Sequence, residues 1–487
     1  LAQQDSAVPH STVGIDEIPP IPLPASTLHT AKQYAHSLQQ NPSRILLLRA
    51  ASSNECRTVA AQIAQQLSLR PLFLEGPPDK QVPTGLAPLL TLRQLLPIFC
   101  PQLSPGERHT LPPISHYTGP ILAIAGPDGQ LTHPTRDLLT WPLPVPTLPE
   151  RQQLWQQSLA ETETSPEEIF QLAQQHRYSC DRIAQLSRLA EHYSSLQNQS
   201  GPTLSDIRAA AWSGEGTGLD ALAQPLSYPV TDEALVLPKA LQQDLATLLH
   251  RCRHRDTLTD GLGSSTTARY TPGVKALFVG NSGTGKTLAA SWIATQLGTP
   301  LYRVDLAAII SKYIGETEKN LAELLMQAER SEVILLFDEA DSLFAKRTDV
   351  QQANDRFANT QTNYLLQRIE SYDGITLLTS NSRQRFDDAF TRRLDLIIEF
   401  SQPRAAERRA LWQSHLGTHH TLSPQQINQL ATTADLCGGH IRNAVLSAAV
   451  FARVHQRPIH FNDIVQGVYA EYRKLGHQAP ASLQSNL

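Results

Sequence analysis

Short, predominantly apolar runs recur along the chain and predict buried strands. They lie at Arg44–Leu48, Gly119–Gly126, Val274–Gly280, Val333–Phe337 and Ile375–Asn381. An unbroken apolar run indicates a strand of a parallel sheet covered on both faces, because an exposed face would place polar residues at every second position. Amphipathic segments with helical spacing separate these runs. The pattern therefore predicts an α/β protein in which helices cover both faces of parallel sheets.

Changes in this pattern predict the domain boundaries. A chain of 487 residues is too long for one compact core, so several domains are expected. The predicted divisions are an irregular proline-rich linker (1–28), a first α/β module (29–194), a polar, glycine-bearing connector (195–235), a second α/β region (236–402), a small helical subdomain (403–475) and a tail (476–487).

One stretch of the first module recurs in the helical subdomain. Seven residues between Pro146 and Leu159 match seven residues that lie 257 positions later, from Pro403 to Leu416, and SPEEIFQLA at 165–173 matches SPQQINQLA at 423–431. Two matching blocks in the same order indicate that one architecture is present twice. The alternative is a chance likeness of two unrelated amphipathic helices.

The run at Val274–Gly280 leads into GNSGTGKT, which fits the pattern GxxxxGK[ST]. Glycines in such a loop let backbone N–H groups approach phosphate oxygens, the lysine places charge at the β- and γ-phosphates, and the threonine hydroxyl binds Mg²⁺. The expected cofactors are ATP and Mg²⁺, and a chance glycine-rich turn is the weaker alternative. The predicted nucleotide-binding residues here are Gly280, Asn281, Ser282, Gly283, Thr284, Gly285, Lys286, Thr287 and Leu288.

Polar residues at the ends of later strands extend this chemistry. Asp338 and Glu339 follow the run at Val333–Phe337, and we expect Asp338 to hold Mg²⁺ together with Thr287, and Glu339 to polarise the attacking water. Asn381 ends the next strand and could place that water, although an asparagine in such a position is more often a turn former.

Two adjacent arginines, Arg392 and Arg393, follow in the segment DDAFTRRLD. On a surface such a pair is usually solvated charge, and only the neighbouring motifs make them candidate arginine fingers.

The first module lacks these features. The turn after Arg44–Leu48 contains no glycine, and Cys56 or Arg57 takes the place of Lys286 and Thr287. The first copy is therefore predicted to be degenerate, with its packing kept and its phosphate chemistry lost.

Charge and cysteine content narrow the function classes. The 41 basic and 45 acidic side chains give a net charge of −4, which makes nucleic acid an unlikely partner. The five cysteines are widely spaced without CxxC or Cys/His motifs, which is typical of a reduced, cytoplasmic protein. No membrane partner is expected, because no run of eighteen apolar residues occurs.

The region from about Val236 to Leu475 resembles an AAA ATPase of the group that contains katanin, spastin, NSF and FtsH. GNSGTGKT matches Walker A, ILLFDEAD matches Walker B, and TSN with DDAFTRRLD is similar to the second region of homology. The resemblance implies that Asn381 is sensor 1 and that Arg392 and Arg393 reach a neighbouring subunit's γ-phosphate. It also makes residues 403–475 the helical lid, in which Gly439 approaches the adenosine by its backbone.

SKYIGETEKN is similar to the substrate-gripping pore loop of the same group, with Lys312, Tyr313, Ile314 and Gly315 as its residues. Two departures stand out. RRLD leaves open which arginine acts, and His440 occupies the place of a sensor 2 arginine.

The resemblance therefore implies an ATPase that forms a homo-oligomeric ring, expected to be a hexamer, and remodels or unfolds a protein substrate or complex. With its degenerate first module, the chain resembles bacterial tandem AAA proteins. An ATP-controlled assembly scaffold or switch, or a loader acting on nucleic acid, remains the alternative.

Overall fold

A computed structural model describes residues 21–76, 82, 85–159, 164–198, 201–214, 217–226, 228–268, 270–309, 316–340, 364–382, 388–480 and 483. The chain divides into two units. Unit 1 consists of Leu1–Leu222 and Ala307–Glu332, and unit 2 consists of Ala223–Leu306 and Val333–Leu487. In the described part of the chain, none of the helices combines the length and the apolar character needed to cross a bilayer.

Strands and helices alternate through most of both units. The strands are β1 (Ile45–Arg49), β2 (Arg70–Glu75), β3 (Leu95–Cys100), β4 (Arg108–Thr110), β5 (Ile121–Ala125), β6 (Gln130–Thr132), β7 (Leu138–Pro142), β8 (Ala223–Pro225), β9 (Val274–Gly280), β10 (Leu301–Val304), β11 (Ile334–Phe337), β12 (Ile375–Ser380) and β13 (Leu396–Phe400). The helices are α1 (Ala25–Gln40), α2 (Ser53–Gln66), α3 (Leu86–Leu92), α4 (Leu148–Ser158), α5 (Pro166–Gln175), α6 (Cys180–Leu196), α7 (Leu204–Trp212), α8 (Lys239–Arg253), α9 (Ser264–Thr267), α10 (Lys286–Leu297), α11 (Leu306–Ile309), α12 (Glu316–Ser331), α13 (364–371), α14 (Asp388–Thr391), α15 (Ala405–Leu416), α16 (Pro424–Thr433), α17 (Gly438–Val454) and α18 (Phe461–Lys474).

Unit 1 contains a five-stranded parallel sheet in the order β2-β3-β5-β1-β7. Successive residues of β1 point to opposite faces. Leu46 and Leu48 pack in the hydrophobic cluster that includes residues of α1 and α2, whereas Ile45 and Leu47 pack in the cluster that includes residues of α3. Burial on both faces explains why this strand has no polar position in its apolar run.

Helices α4 to α7 form a separate cluster of unit 1 around Trp155, which is fully buried. Helix α7 lies within residues 195–235, where a connector was expected. It packs here because Ile207, Ala210 and Ala211 recur at helical spacing and are buried in the same cluster.

Helix α12 also belongs to unit 1, although its sequence lies between two strands of unit 2. Arg330 near its end donates a hydrogen bond of 3.1 Å to the carboxylate of Asp181. The Met326 sulfur lies 3.7 Å from the place where Gly126 would carry a β-carbon. The sequence of this helix is amphipathic, but such a pattern does not specify which surface the apolar face covers.

Unit 2 contains a six-stranded sheet in the order β13-β9-β12-β11-β10-β8. The short strand β8 pairs antiparallel with β10, and the other pairs among the described strands are parallel. Apart from β8, the order across the sheet is the fifth, first, fourth, third and second strand in chain order, as in the five-stranded sheet of unit 1. The predicted parallel α/β fold is confirmed.

Helices α15 to α18 form a cluster of unit 2 around Trp412, which is also fully buried. Arg408 in α15 donates from Nε to the carbonyl of Ala431 and from Nη1 to that of Pro403, both at 2.8 Å. In unit 1, Arg151 makes the same two bonds, to Ala173 at 2.9 Å and to Pro146 at 2.7 Å. The residues that match in sequence thus make matching contacts.

Candidate active site

A glycine-rich loop joins β9 to α10. Gly285 caps the start of α10 with a φ of 98°, in the left-handed region that favours glycine. At Gly283 a β-carbon would lie only 2.7 Å from the sulfur of Cys437. The first turn of α10, which begins at Lys286, presents backbone N–H groups that have no acceptor within the helix. This loop and helix terminus together form an anion-binding arrangement.

The side chain of Lys286 joins the loop to the neighbouring strand. Its Nζ donates to the carbonyls of Gly280 at 2.6 Å and Asn281 at 3.0 Å, and to Oδ1 of Asn381 at 3.3 Å. Asn381 directly follows β12, which pairs with β9. Two of the predicted site residues, 95 positions apart in sequence, are therefore brought into contact.

The two predicted carboxylates follow β11, on the other side of β12. The hydroxyl of Thr379 donates to Oδ1 of Asp338 at 2.5 Å and accepts a hydrogen bond from the backbone N–H of Glu339 at 3.0 Å. Thr379 is almost fully buried, and it positions both acids. The sequence analysis did not single it out. Thr379 is one of three buried polar residues of β12, with Thr376 and Ser380, so its polarity alone did not mark it out.

Glu339 has a φ of 52°, a conformation that few residues other than glycine adopt. Its side chain is exposed, whereas Asp338 is half-buried. A backbone in a sparsely populated region is often found at functional sites, where surrounding contacts maintain it. Here the bond between the Glu339 N–H and Thr379 is one such contact.

Arg392 and Arg393 lie elsewhere in unit 2. Both are exposed, just before β13, and Arg393 Nε is 3.3 Å from a carboxylate oxygen of Glu370. Strand β13 runs parallel to β9, and its first residue pairs with Ala276, while the glycine-rich loop follows the last residue of β9. The two arginines therefore lie near the amino ends of the strands, whereas Lys286 lies at their carboxyl ends. Within one chain they do not reach the glycine-rich loop.

The start of α17 contacts the glycine-rich loop. The N–H of Gly439 donates to the carbonyl of Gly283 at 3.0 Å, and the thiol of Cys437 donates to the carbonyl of Ser282 at 3.4 Å. Gly439 thus contacts the loop through its backbone, and Cys437 contacts it through its side chain. The sequence analysis did not place Cys437 in the site. His440 Nδ1 is 2.9 Å from the same sulfur.

The residues of this site fit ATP and Mg²⁺. Thr287 in the first turn of α10 and Asp338 at the end of β11 are both half-buried and offer a hydroxyl and a carboxylate oxygen. Hard oxygen ligands of this kind, completed by water and phosphate oxygens, suit Mg²⁺. Leu288, which follows the predicted loop, is 40% exposed and offers an apolar surface on α10.

The predicted pore-loop residues Lys312, Tyr313, Ile314 and Gly315 lie outside the described residues.

The crevice of unit 1 between β1 and α2 differs from that of unit 2. Ser52 caps α2, so that Ser53 and Asn54 are its first residues. Ser53 and Asn54 therefore take the positions that Lys286 and Thr287 have in α10. Cys56 and Arg57, which were expected there, lie about one helical turn further into α2. Cys56 belongs to the core, and Arg57 forms an ion pair with Glu75.

Acidic side chains occupy this crevice of unit 1. The hydroxyl of Ser52 donates to a carboxylate oxygen of Asp181 at 2.5 Å, and Arg330 binds the same oxygen. Burial of Glu55, with the nearby negative charge of Asp181 as a further cause, raises the pKa of Glu55 to about 7. The carboxylate of Asp181 is thus held next to the N-terminus of α2.

Comparison with known proteins agrees with the geometry of unit 2. Residues 276–402 match the model of the AAA family, the ATPase family associated with various cellular activities. The chain is 37% identical over 134 residues to an uncharacterized AAA family ATPase of Sinorhizobium fredii, covering 27% of this chain and 40% of that protein.

Two further relatives have more descriptive names. Proteasome-activating nucleotidase 2 of Halobacterium salinarum is 27% identical over 209 residues, covering 40% of this chain and 50% of its own. Vacuolar protein sorting-associated protein 4 of Dictyostelium discoideum is 28% identical over 196 residues, covering 39% and 44%. The chain thus spans half or less of the length of the relatives it matches.

Proposed function

We propose that this protein binds ATP with Mg²⁺ in unit 2, hydrolyses it to ADP and phosphate, and uses the cycle to remodel a protein substrate. The match of residues 276–402 to the AAA family supports this proposal. The observation that carries this proposal is the contact between Lys286 Nζ and Asn381 Oδ1 at 3.3 Å. It joins the phosphate loop to the strand that separates this loop from the two acids.

Each residue of the site then has one task. Lys286 binds the β- and γ-phosphates, and Thr287 with Asp338 would hold Mg²⁺, which supplies charge neutralisation at the phosphates. Glu339 polarises the attacking water, and Asn381 orients it. Thr379 keeps Asp338 and the backbone of Glu339 in place through its two hydrogen bonds.

The remaining charge at the γ-phosphate would come from a second subunit. Arg392 and Arg393 are exposed at the edge of the sheet away from their own loop, where they can reach the site of a neighbour. Hydrolysis then requires a homo-oligomer, and a hexameric ring is the form we propose. The backbone of Gly439 would contact the adenosine, so that the lid moves with the nucleotide.

A protein substrate is the favoured target. One relative is named a proteasome-activating nucleotidase and another a vacuolar protein sorting-associated protein. The sequence at 312–315 offers an aromatic residue, Tyr313, for gripping an extended chain, and the net charge of −4 gives no support for nucleic acid.

Unit 1 would be a degenerate copy of the same module. Its sheet has the same strand order, and Arg151 makes the contacts that Arg408 makes in unit 2. Its crevice holds the Asp181 carboxylate instead of a lysine. Unit 1 then serves as a structural tier or a platform for a partner.

Two substitutions in unit 2 test the ATPase assignment. Lys286→Ala is expected to abolish binding of a fluorescent ATP analogue. Glu339→Gln is expected to bind it normally while phosphate release falls by about two orders of magnitude or more, because the base is lost. Glu323→Gln, an equally simple change of an exposed glutamate on α12, is the matched control. Unchanged turnover in Glu339→Gln would overturn the assignment of the base.

Substitutions of Tyr313 test the proposal that the substrate is a protein. Stimulation of phosphate release by an unfolded protein is expected to disappear in Tyr313→Ala and to persist in Tyr313→Phe, with basal turnover unchanged in both. Equal stimulation in both variants would instead favour an assembly switch that threads nothing.

A further inference from the structure

Helix α12 connects two segments that the proposed ATPase uses. It begins directly after the candidate pore-loop residues 312–315 and ends at Ser331, two residues before β11. Strand β11 leads into Asp338 and Glu339. Whatever holds the end of α12 therefore bears on the position of the two acids.

The link between α12 and β11 is short and buried. Both of its residues, Glu332 and Val333, are buried, and Glu332 has a φ of 48°, in the left-handed region. A backbone in this region is maintained by the contacts around it. A link of two residues spans at most about 7 Å, so it offers little slack. The end of α12 thus determines where β11 begins.

Unit 1, to which α12 belongs, holds this end of the helix. Arg330 donates a hydrogen bond of 3.1 Å to a carboxylate oxygen of Asp181, which accepts another from the Ser52 hydroxyl at 2.5 Å. The Asp181 side chain is only 5% exposed. A charge-assisted hydrogen bond to a buried carboxylate is stronger than an ion pair in water, so this contact can fix the helix end.

Both charges lie at helix ends that stabilise them. Asp181 belongs to the first turn of α6, and Arg330 belongs to the last turn of α12. The helix dipole favours an anion at the first turn and a cation at the last. The ion pair is therefore supported by the two helices that it joins.

The position of Asp181 has a counterpart in unit 2. Asp181 lies 258 positions before Gly439, the offset that also separates Ser165 from Ser423 in the repeated segment. Each is the second residue of a helix of 17 residues. In unit 2, Gly439 contacts the Gly283 carbonyl of the glycine-rich loop. In unit 1 the same position carries a carboxylate that binds α12.

We propose that Asp181 and Arg330 are positioning residues for hydrolysis. Their ion pair fixes the end of α12, and through it β11 with Asp338 and Glu339. Unit 1 thereby supports the turnover of unit 2. The effect on turnover rests on the function proposed above, whereas the hold on α12 does not.

Steady-state kinetics of the full chain separate positioning from binding. Arg330→Gln is expected to lower kcat about tenfold and to change KM for ATP by less than about twofold, because a catalytic group displaced by about 1 Å can cost up to about a hundredfold. Arg330→Lys, which keeps the cation, should lie closer to the wild type. Arg188→Gln, the same change at an exposed arginine of α6, is the matched control.

Unchanged or increased kcat in Arg330→Gln would overturn the proposal, as would a loss confined to KM. Asp181→Asn should lower kcat by a similar factor. Combining it with Arg330→Gln should lower kcat no further, because the two side chains act through one contact. Effects that multiply in the double variant would show that they act separately and would also overturn the proposal.

Met326 provides a readout that does not depend on turnover. It is the single methionine of the sequence and lies on α12, one turn before Arg330. Labelling methionine methyl groups with ¹³C gives a signal that is assigned by its loss in Met326→Leu. We expect Asp181→Asn, on another helix, to move this signal in the same direction as Arg330→Gln, and Arg188→Gln to leave it in place.

A Met326 signal that stays in place in Asp181→Asn would show that the ion pair does not hold α12. If the wild type hydrolyses no ATP, the proposed function fails, whereas the Met326 signal still decides whether the pair holds the helix. If the wild type turns over ATP and the signal moves while kcat does not, the positioning role alone is overturned.

Discussion

The hydroxyl of Ser52 donates a hydrogen bond of 2.5 Å to the carboxylate of Asp181, 129 residues away. The bond lies at the N-terminus of α2, the helix that follows the first strand of the unit 1 sheet. In unit 2 the helix at this topological position is α10, whose N-terminus adjoins the glycine-rich loop. A helix N-terminus attracts an anion. In unit 1 the chain supplies that anion itself.

We therefore expect one nucleotide per chain. Equilibrium binding of a labelled ATP analogue should give a stoichiometry near one, and Lys286→Ala should abolish it entirely, because the Asp181 carboxylate repels phosphate at the other crevice. Ser52→Ala is the control in unit 1 and should leave the stoichiometry unchanged. A value near two, or binding that survives Lys286→Ala, would contradict this expectation.

The buried Glu55 predicts a pH dependence of stability. Its pKa is raised to about 7 by burial, with the charge of Asp181 adding to the effect, while in the unfolded chain it returns to 4.5. Between these values the folded protein binds more protons than the unfolded one, so the free energy of unfolding falls as pH rises through this window. The loss is at most about 3 kcal/mol at pH 8.

Glu55→Gln separates this effect from other titrations. The amide keeps a hydrogen-bond acceptor but cannot ionise, so the variant should lose this part of the pH dependence and be more stable than the wild type above pH 7. Urea unfolding between pH 5 and pH 8, followed by peptide-resolved hydrogen exchange in α2, measures it. Parallel profiles for the two proteins would show that Glu55 does not titrate in this range.

The sequence predicted the contiguous part of the site and missed the rest, for a physical reason. The loop at Gly280–Thr287 is a local motif, and the meeting of Lys286 with Asn381 follows once both are placed at the carboxyl ends of parallel strands. Contacts between elements far apart in sequence carry no such local signature. The bond of Cys437 to Ser282 spans 155 residues.

The same limit applies to the fold. Apolar runs revealed strands that are buried on both faces, such as β1 and β11. They did not reveal β7, whose residues are mostly half-buried or exposed, nor the assignment of α12 to unit 1. Periodicity shows that a helix has an apolar face, but shape and charge decide what that face covers.

The arginines before β13 predict cooperation between subunits. Arg392→Ala with Arg393→Ala should bind ATP and lose about three orders of magnitude or more in turnover, because charge at the γ-phosphate is removed. Glu370→Gln, which releases Arg393 from an exposed ion pair, should change little, since such pairs are worth at most about 1 kcal/mol.

Mixing two inactive variants tests whether these arginines act in trans. Lys286→Ala subunits have intact arginines and no working loop, and the double arginine variant has the reverse. Turnover of the assembled mixture should exceed that of either variant alone. A double arginine variant with full activity would exclude the role, and a mixture that stays inactive would argue for action within one chain.

The two matching arginines predict separate stabilities for the two helical clusters. Arg151→Met should cost about 2–4 kcal/mol, because the buried carbonyls of Ala173 and Pro146 each lose a donor. Arg408→Met removes the two matching bonds and an ion pair with the exposed Asp435, which adds little. The Arg408 side chain is 11% exposed, so water can replace it in part and the cost should be nearer about 1–2 kcal/mol. Peptide-resolved hydrogen exchange measures both: Arg151→Met should speed exchange in α4 and α5 and leave α15 and α16 unchanged, and Arg408→Met should do the opposite. Equal acceleration in both clusters by either variant would show that they do not unfold independently.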